Sequence, residues 1–282
     1  MRVLIVPNAG NSVALASARE VVASLAAGGF DPVLTSDDAE ASGLKDFGVP
    51  VTEIGEPGLV VSLGGDGTIL KAVHLLGPIE VPILGVNMGK LGFLTGAPSE
   101  GLHDAVASAL AGEGQIERRE TLEAIVVMGG REVGRYRALN EVFVGRGASG
   151  RVIEVSLSVS GTPMMSFTGD GVIVATPTGS TAYALSAGGP IVSPSVPCNV
   201  VVPVAPHTLT TRSMVIGSSD VVEIRLPDPA RRDGCVSVDG ELTPCRRDIE
   251  SVTVCRSESD VLLVKLDGRD FYEVAAAEFL GG

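Results

Sequence analysis

Residues 59–63 (LVVSL) run directly into Gly64-Gly65-Asp66-Gly67-Thr68, and a helical pattern follows from Thr68 to about Leu76. A near-continuous aliphatic run of this kind suits a strand buried on both faces. A buried strand that ends in glycines and passes at once into a helix suits the βα junction of a parallel sheet. The neighbouring segments repeat that rhythm. Residues 3–6 read as a strand, and Ala14, Ala18, Val21, Val22 and Leu25 share one helical face ended by Gly28-Gly29. Residues 33–34 and 51–54 read as short strands and 82–86 as another buried one, while Leu102, Val106 and Leu110 predict a helix ending near Gly112. Residues 1–112 are therefore expected to form a doubly wound, Rossmann-like α/β domain.

From about Gln115 the texture becomes strand-rich. Residues 125–128, Gly129-Gly130 and 132–139 read as a hairpin, and 152–159 (VIEVSLSV) alternates as a half-buried strand should. Further strands are expected at 172–175, 200–204, 221–226, 235–238 and 251–254. Residues 113–261 are predicted to be an all-β, sandwich-like domain. A last strand at 261–266 and a short helix at 272–280 are expected to carry residues 262–282 back to the first domain.

Charge narrows the partners. Twenty-one Lys plus Arg against 34 Asp plus Glu leave a net charge of −13, which disfavours nucleic acid and anionic membranes alike. No apolar run approaches the length of about 18 residues that a membrane span needs, and Pro7 stops the N-terminal aliphatic run too early for a signal peptide. The expectation is a soluble, cytoplasmic protein. The four cysteines form no CxxC pair and there are three histidines, so free thiols and no zinc site are expected.

The glycine turn carries the first chemical signal. Glycines permit positive φ and a close approach of backbone to ligand, and the start of the following helix attracts anions. The spacing matches neither a Walker A loop nor GxGxxG. Gly64, Gly65, Thr68 and Lys71 are candidate phosphate contacts; Lys71 is equally readable as a solvated helix lysine. Asp66 places a carboxylate where phosphate would lie. It can accept a proton from a hydroxyl or help to hold Mg²⁺, unless it merely caps the helix.

Later motifs are polar and strand-bound. Asn140-Glu141 precedes an apolar strand and offers donors and acceptors suited to ribose or adenine. Asp170 stands between two glycines before a strand that leads into Thr176-Pro177-Thr178-Gly179-Ser180-Thr181-Ala182-Tyr183. Hydroxyls there can cap a short helix or bind ligand, and Tyr183 can stack on a base. Pro206-His207-Thr208-Leu209 and the hairpin-type turn Asp239-Gly240 before Glu241 are structural by default.

Taken in order, these motifs resemble the NAD kinase family over nearly the whole chain, the 85–94 run Gly-Val-Asn-Met-Gly-Lys-Leu-Gly-Phe-Leu included. The resemblance implies phosphoryl transfer from ATP, or polyphosphate, to the 2′-hydroxyl of the adenosine ribose of NAD, giving NADP. It makes Asp66 the proton acceptor and lets Asp66, Gly67, Asn140, Glu141, Asp170, Thr181, Ala182, Tyr183 and Ser186 line the NAD site. Arg151 and Lys71 match basic binding positions, and Glu241 a position near the substrate. Mg²⁺ with the phosphate donor and a homodimer or homotetramer are also implied. Thr168 departs from the pattern, since some members carry a basic residue there. A lipid or sphingoid kinase with the same turn, and a non-catalytic dinucleotide sensor, are the rival readings.

Overall fold

Two units divide the chain, Met1–Arg119 with Asp260–Gly282, and Glu120–Ser259. The structure, a computed structural model, describes residues 1–89, 92–208, 210–228, 234–246, 248–266 and 268–280. Lys90 and Leu91 of the 85–94 motif, Leu209 of the proline–histidine motif, and Asp267, Gly281 and Gly282 of the tail lie outside the described residues.

The first unit runs β1 (Arg2–Pro7), α1 (Ser12–Ala27), β2 (Asp31–Thr35), α2 (Ser36–Ser42), β3 (Gly48–Val49), β4 (Leu59–Gly64), α3 (Asp66–Leu76), β5 (Pro82–Asn87), β6 (Ala97–Pro98), α4 (Leu102–Leu110) and β7 (Gln115–Arg119). The second contributes β8 (Leu122–Met128), β9 (Arg131–Ala138), β10 (Glu141–Arg146), β11 (Ile153–Val159), β12 (Thr162–Gly169), β13 (Gly171–Ala175), α5 (Tyr183–Ser186), β14 (Cys198–Val204), β15 (Met214–Gly217), β16 (Val222–Arg225), β17 (Gly234–Val238), β18 (Glu241–Arg246) and β19 (Ile249–Arg256). The chain then re-enters the first unit as β20 (Val261–Lys265) and α6 (Phe271–Leu280).

In the first unit the strand order is β3-β2-β1-β4-β5-β20-β7, with β6 beside β5. All pairings are parallel except that of β7 with β20. The order reverses between β1 and β4, the crevice where doubly wound sheets bind ligands. Leu59, Val60, Val61 and Leu63 are buried, as a strand covered on both faces requires. Helix α1 buries the predicted stripe Ala14, Ala18, Val21, Val22 and Leu25. Asn11 caps it, its Oδ1 accepting from the N–H groups of Val13 and Ala14.

Two sequence expectations are corrected here. Residues 51–54 are not a strand: Pro50, at φ −56°, starts a single 3₁₀ turn at Val51–Glu53. The first unit also extends past residue 112 to Arg119, because Gln115–Arg119 hydrogen-bonds antiparallel to β20.

The second unit holds two antiparallel sheets, β15-β14-β13-β10-β17-β18 and β12-β11-β16-β19-β8-β9. Val142, Val144, Val172, Val174 and Val236 of one join Val126, Val155, Leu157, Ile224 and Val252 of the other in a shared aliphatic core. On the opposite face of the first sheet, Ala184 of α5 packs with Ile173, Ala175, Val200 and Val202. Cys198, Cys235, Cys245 and Cys255 are free thiols. Among the described residues no helix is long and apolar enough to cross a membrane.

Candidate active site

The β4–α3 turn is built for close approach. A Cβ on Gly64 would overlap the Thr68 hydroxyl, whereas Gly65 and Gly67 have nothing within 4 Å of where theirs would stand. None of the three has positive φ. Of the two freedoms glycine offers, close approach is the one used: these glycines supply tight packing at 64 and bare backbone at 65 and 67. Gly65 is the N-cap of α3 and provides no side-chain cap, which leaves the helix start to attract an anion.

That bare backbone faces a cleft of about 390 Å³ lined by Asn8, Ala9 and Gly10 after β1 and by Gly65, Gly67, Thr68 and Lys71 after β4. The two loops follow the strands between which the sheet order reverses. Lys71 lines the cleft while its ammonium pairs with Asp38 of α2. Asp38 is buried and also accepts from the Thr35 hydroxyl at 2.9 Å. Lys71 is thus neither a freely solvated lysine nor one pledged only to a ligand.

Asp66 does not cap its helix. Its Oδ2 accepts from the N–H of Phe93 at 2.9 Å, and Oδ1 from the N–H of Leu94 at 3.0 Å. Gly92 lies so close that a Cβ there would overlap the Asp66 carboxylate. The 85–94 motif is itself tied to the turn, since Met88 N–H donates to the Gly64 carbonyl at 3.0 Å. Each carboxylate oxygen keeps acceptor capacity beyond its one backbone bond.

In the second unit, Asp239 organises the corner between β9 and β10. It accepts from the N–H groups of Leu139 (2.8 Å), Asn140 (2.7 Å) and Glu141 (3.1 Å). Asp239 and Gly240 take φ of 49° and 82°, the paired positive values of a type I′ hairpin turn. The Thr176–Gly179 stretch wraps the same corner. Thr176 Oγ1 donates to the Leu139 carbonyl at 2.6 Å, and a Cβ on Gly179 would overlap the Asn140 carbonyl.

Glu141 is buried, and its Oε2 has no hydrogen-bond partner among the described residues. Burial pushes its carboxyl up from 4.5 to about 7; the charge of Asp239 adds to this, and the Tyr183 backbone N–H opposes it. The Tyr183 ring meets Phe143 edge-on at 5.5 Å and is 41% exposed, free to offer a face to a ligand. Burial raises its phenol, as do the charges of Asp170 and Glu141, against the pull of Arg146. Arg146 Nε lies 3.2 Å from Asp170 Oδ1. Gly145 pairs with Gly171 across β10 and β13, which sets Arg146 beside Asp170.

The structure therefore gathers Asn140, Glu141, Asp170 and Tyr183; it adds Arg146, which the motifs did not single out, and Asp239, which they gave only as part of a turn. Thr181 Oγ1 bonds locally to the Thr178 carbonyl at 3.3 Å, Ala182 is the N-cap of α5, and Ser186 is exposed at its end. Ser180 is structural, donating to the Pro177 carbonyl and accepting from Val192 N–H. Arg151 lies exposed in the loop after β10, and the cation beside Asp170 is Arg146. Glu241 is exposed at the start of β18, and Thr168 pairs with Glu154 in the β11–β12 hairpin. A cluster this rich in carboxylates suits sugar hydroxyls better than phosphates.

Glu141 makes stability depend on pH. Its folded value lies above the ordinary 4.5, so between that pH and about 7 the fold holds more proton than the unfolded chain. Its contribution is full below about pH 4.5 and is lost as pH rises through about 7. Glu141→Gln, neutral throughout, is expected to gain about 1–3 kcal/mol more over wild type at pH 8 than at pH 5. Denaturant titrations at the two pH values check this, and an equal change at both would refute it.

Comparison with known proteins bears on this arrangement. The ATP-NAD kinase N-terminal domain matches residues 54–114, and the ATP-NAD kinase C-terminal domain matches residues 139–266. The NAD kinase of Symbiobacterium thermophilum is 37% identical over 278 residues, covering 98% of each chain. That of Geobacter sulfurreducens is 37% identical over 265 residues, covering 94% of this chain and 93% of its own. Among solved structures, yeast NADH kinase complexed with NADH superposes with a TM-score of 0.90 at 26% identity, covering 100% of this chain and 87% of that one. An NAD kinase from Archaeoglobus fulgidus in complex with ATP gives 0.76 at 27% identity, covering 98% and 99%. The lipid-kinase and sensor readings gain no support from these matches. On the full-length likeness and the motifs that carry it, the chain belongs to the NAD kinase family and is a phosphotransferase acting on NAD.

Proposed function

We propose that the chain transfers the γ-phosphoryl group of ATP to the 2′-hydroxyl of the adenosine ribose of NAD, with Asp66 as proton acceptor. The ribose oxygen forms a bond to the γ-phosphorus, the bond from that phosphorus to the β,γ-bridging oxygen breaks, ADP leaves, and the hydroxyl proton passes to the Asp66 carboxylate. The observation that carries this is the aim of Asp66: one carboxylate, held by two backbone N–H groups, at the start of the helix that borders the cleft. Such a group orients a hydroxyl and takes its proton as the P–O bond forms.

The other roles follow from chemistry. Gly65, Gly67, Thr68 and Lys71 suit donor phosphates through bare backbone, a hydroxyl and an ammonium, and Gly64 serves them by letting Thr68 pack against the turn. Asn140, Glu141, Asp170, Tyr183 and the Thr181–Ser186 stretch suit the nucleoside parts of NAD, with Arg146 as the cation beside Asp170 and Arg151 kept as a further basic candidate. Among the described residues no group of three His, Cys, Asp or Glu could cage a metal. Mg²⁺ fits as the companion of the donor phosphates with Asp66 as a carboxylate that could help to hold it, where it would neutralise charge on the transferred group.

The reading includes a cytoplasmic homodimer or homotetramer. Each edge strand of the second unit carries an exposed apolar side chain: Val133 on β9, Met164 on β12, Val215 on β15 and Leu242 on β18. The deciding assay follows NADP formation from NAD with ATP and polyphosphate in parallel, with NADH and a lipid panel as competing acceptors. ATP-dependent NADP formation is expected. Phosphate on a lipid, or binding of NAD without turnover under Mg-ATP, overturns the proposal.

A further inference from the structure

Phe93 and Leu94, whose N–H groups hold Asp66, are gripped from behind by the end of the chain. Lys265, the last residue of β20, donates from Nζ to the carbonyls of Thr95 (2.7 Å) and Phe93 (3.4 Å). The Phe93 carbonyl and the Leu94 N–H are two ends of one peptide group. A chain of contacts therefore runs from the Lys265 ammonium through that peptide to Asp66 Oδ1. A cation on the carbonyl end polarises the peptide and strengthens the N–H bond at its other end.

The same segment is fixed on two further sides. Leu266 N–H donates to the Gly96 carbonyl at 2.9 Å, and a Cβ on Gly96 would overlap the Val264 carbonyl. The Phe93 ring lies 5.8 Å from that of Phe271 and 6.0 Å from that of Phe279, both on α6. Behind it opens a cavity of about 680 Å³, bordered by Phe93, Lys265 and Phe271.

We propose that Lys265, backed by Phe271 and Phe279, is a positioning residue for phosphoryl transfer: it fixes and polarises the peptide group that aims the Asp66 carboxylate. The inference rests on Asp66 as proton acceptor. It assigns a role in the chemistry to the chain's returning C-terminal segment.

The test is a double-mutant cycle on full-length protein. Lys265→Gln removes the charge but keeps a hydrogen-bonding chain. It is expected to lower kcat by about 10- to 100-fold, since small misplacements of a catalytic group cost that much. KM for NAD and for ATP should stay within about twofold, because the interaction lost matters in the transition state alone. Added to Asp66→Asn, the same change should cost nothing further. Lys265→Arg, which keeps the cation, should recover most of the loss. If Lys265→Gln does not fold, Phe271→Leu is carried through the same cycle. A folded variant with wild-type kcat, or a loss that adds fully onto Asp66→Asn, overturns the inference. Near-normal turnover of Asp66→Asn alone would instead remove the assignment of Asp66 itself.

Discussion

Asp66→Asn is expected to lower kcat for NAD phosphorylation by about 10²- to 10⁴-fold, the range set by loss of a positioned proton acceptor. KM for both nucleotides should change little, so kcat and kcat/KM fall together. The fold should survive. One amide oxygen can still accept from Phe93 or Leu94 N–H, while the amide nitrogen must face the other donor. That mismatch costs about 1–3 kcal/mol, the usual penalty for one unsatisfied donor. Steady-state kinetics alongside thermal unfolding separate the two effects. Gly92→Ala offers a control that keeps the carboxylate itself. Its methyl would overlap Asp66, so turnover should drop with the proton acceptor chemically intact but displaced. Near-normal turnover in Asp66→Asn would remove Asp66 from the mechanism.

Local pattern made the parallel sheet readable. Residues 59–63 bury every side chain, as a strand covered on both faces requires. What pattern could not show depends on contacts distant in the chain. Gln115–Arg119 (QIERR) has no apolar alternation to mark it, and becomes a strand only because β20 supplies its partners. Residues 51–54 carry strand-forming side chains, yet Pro50 and the 3₁₀ turn after it decide otherwise. The site divides along the same line. Asp66 could be singled out because a carboxylate among glycines is chemically odd. The groups that aim it are backbone N–H donors, which no residue type announces. Arg146 looked like any strand-end arginine until the pairing of Gly145 with Gly171 set it beside Asp170. The Asp239-Gly240 pair announced its turn, and the type I′ geometry bears that out, but not the three donors its carboxylate collects.

Those three donors make Asp239→Ala the substitution with the largest expected cost to the fold, about 3–5 kcal/mol in unfolding of the second unit. The Leu139 and Glu141 bonds are buried, so the freed N–H groups gain no water in exchange. Asp239 also sits at φ 49°, where Asp and Asn are tolerated better than Ala. Asp239→Asn should therefore lose less, since it keeps the turn and one accepting oxygen. The effect must reach the nucleotide cluster, because Asn140 and Glu141 are held by the same carboxylate. Removing its charge also removes the second cause of the raised Glu141 carboxyl, leaving burial, the larger cause, in place. Glu141 should then titrate below about 7 but still above 4.5. In Asp239→Asn, where the corner persists, the loss of stability with rising pH should start at the same pH, be complete at a lower pH and be smaller. Denaturant unfolding of both variants across pH 5–8 reads out the size and the pH dependence together. A loss below about 1 kcal/mol for Asp239→Ala would mean that the three N–H groups find other acceptors, and that Asp239 does not build the corner that presents Asn140 and Glu141.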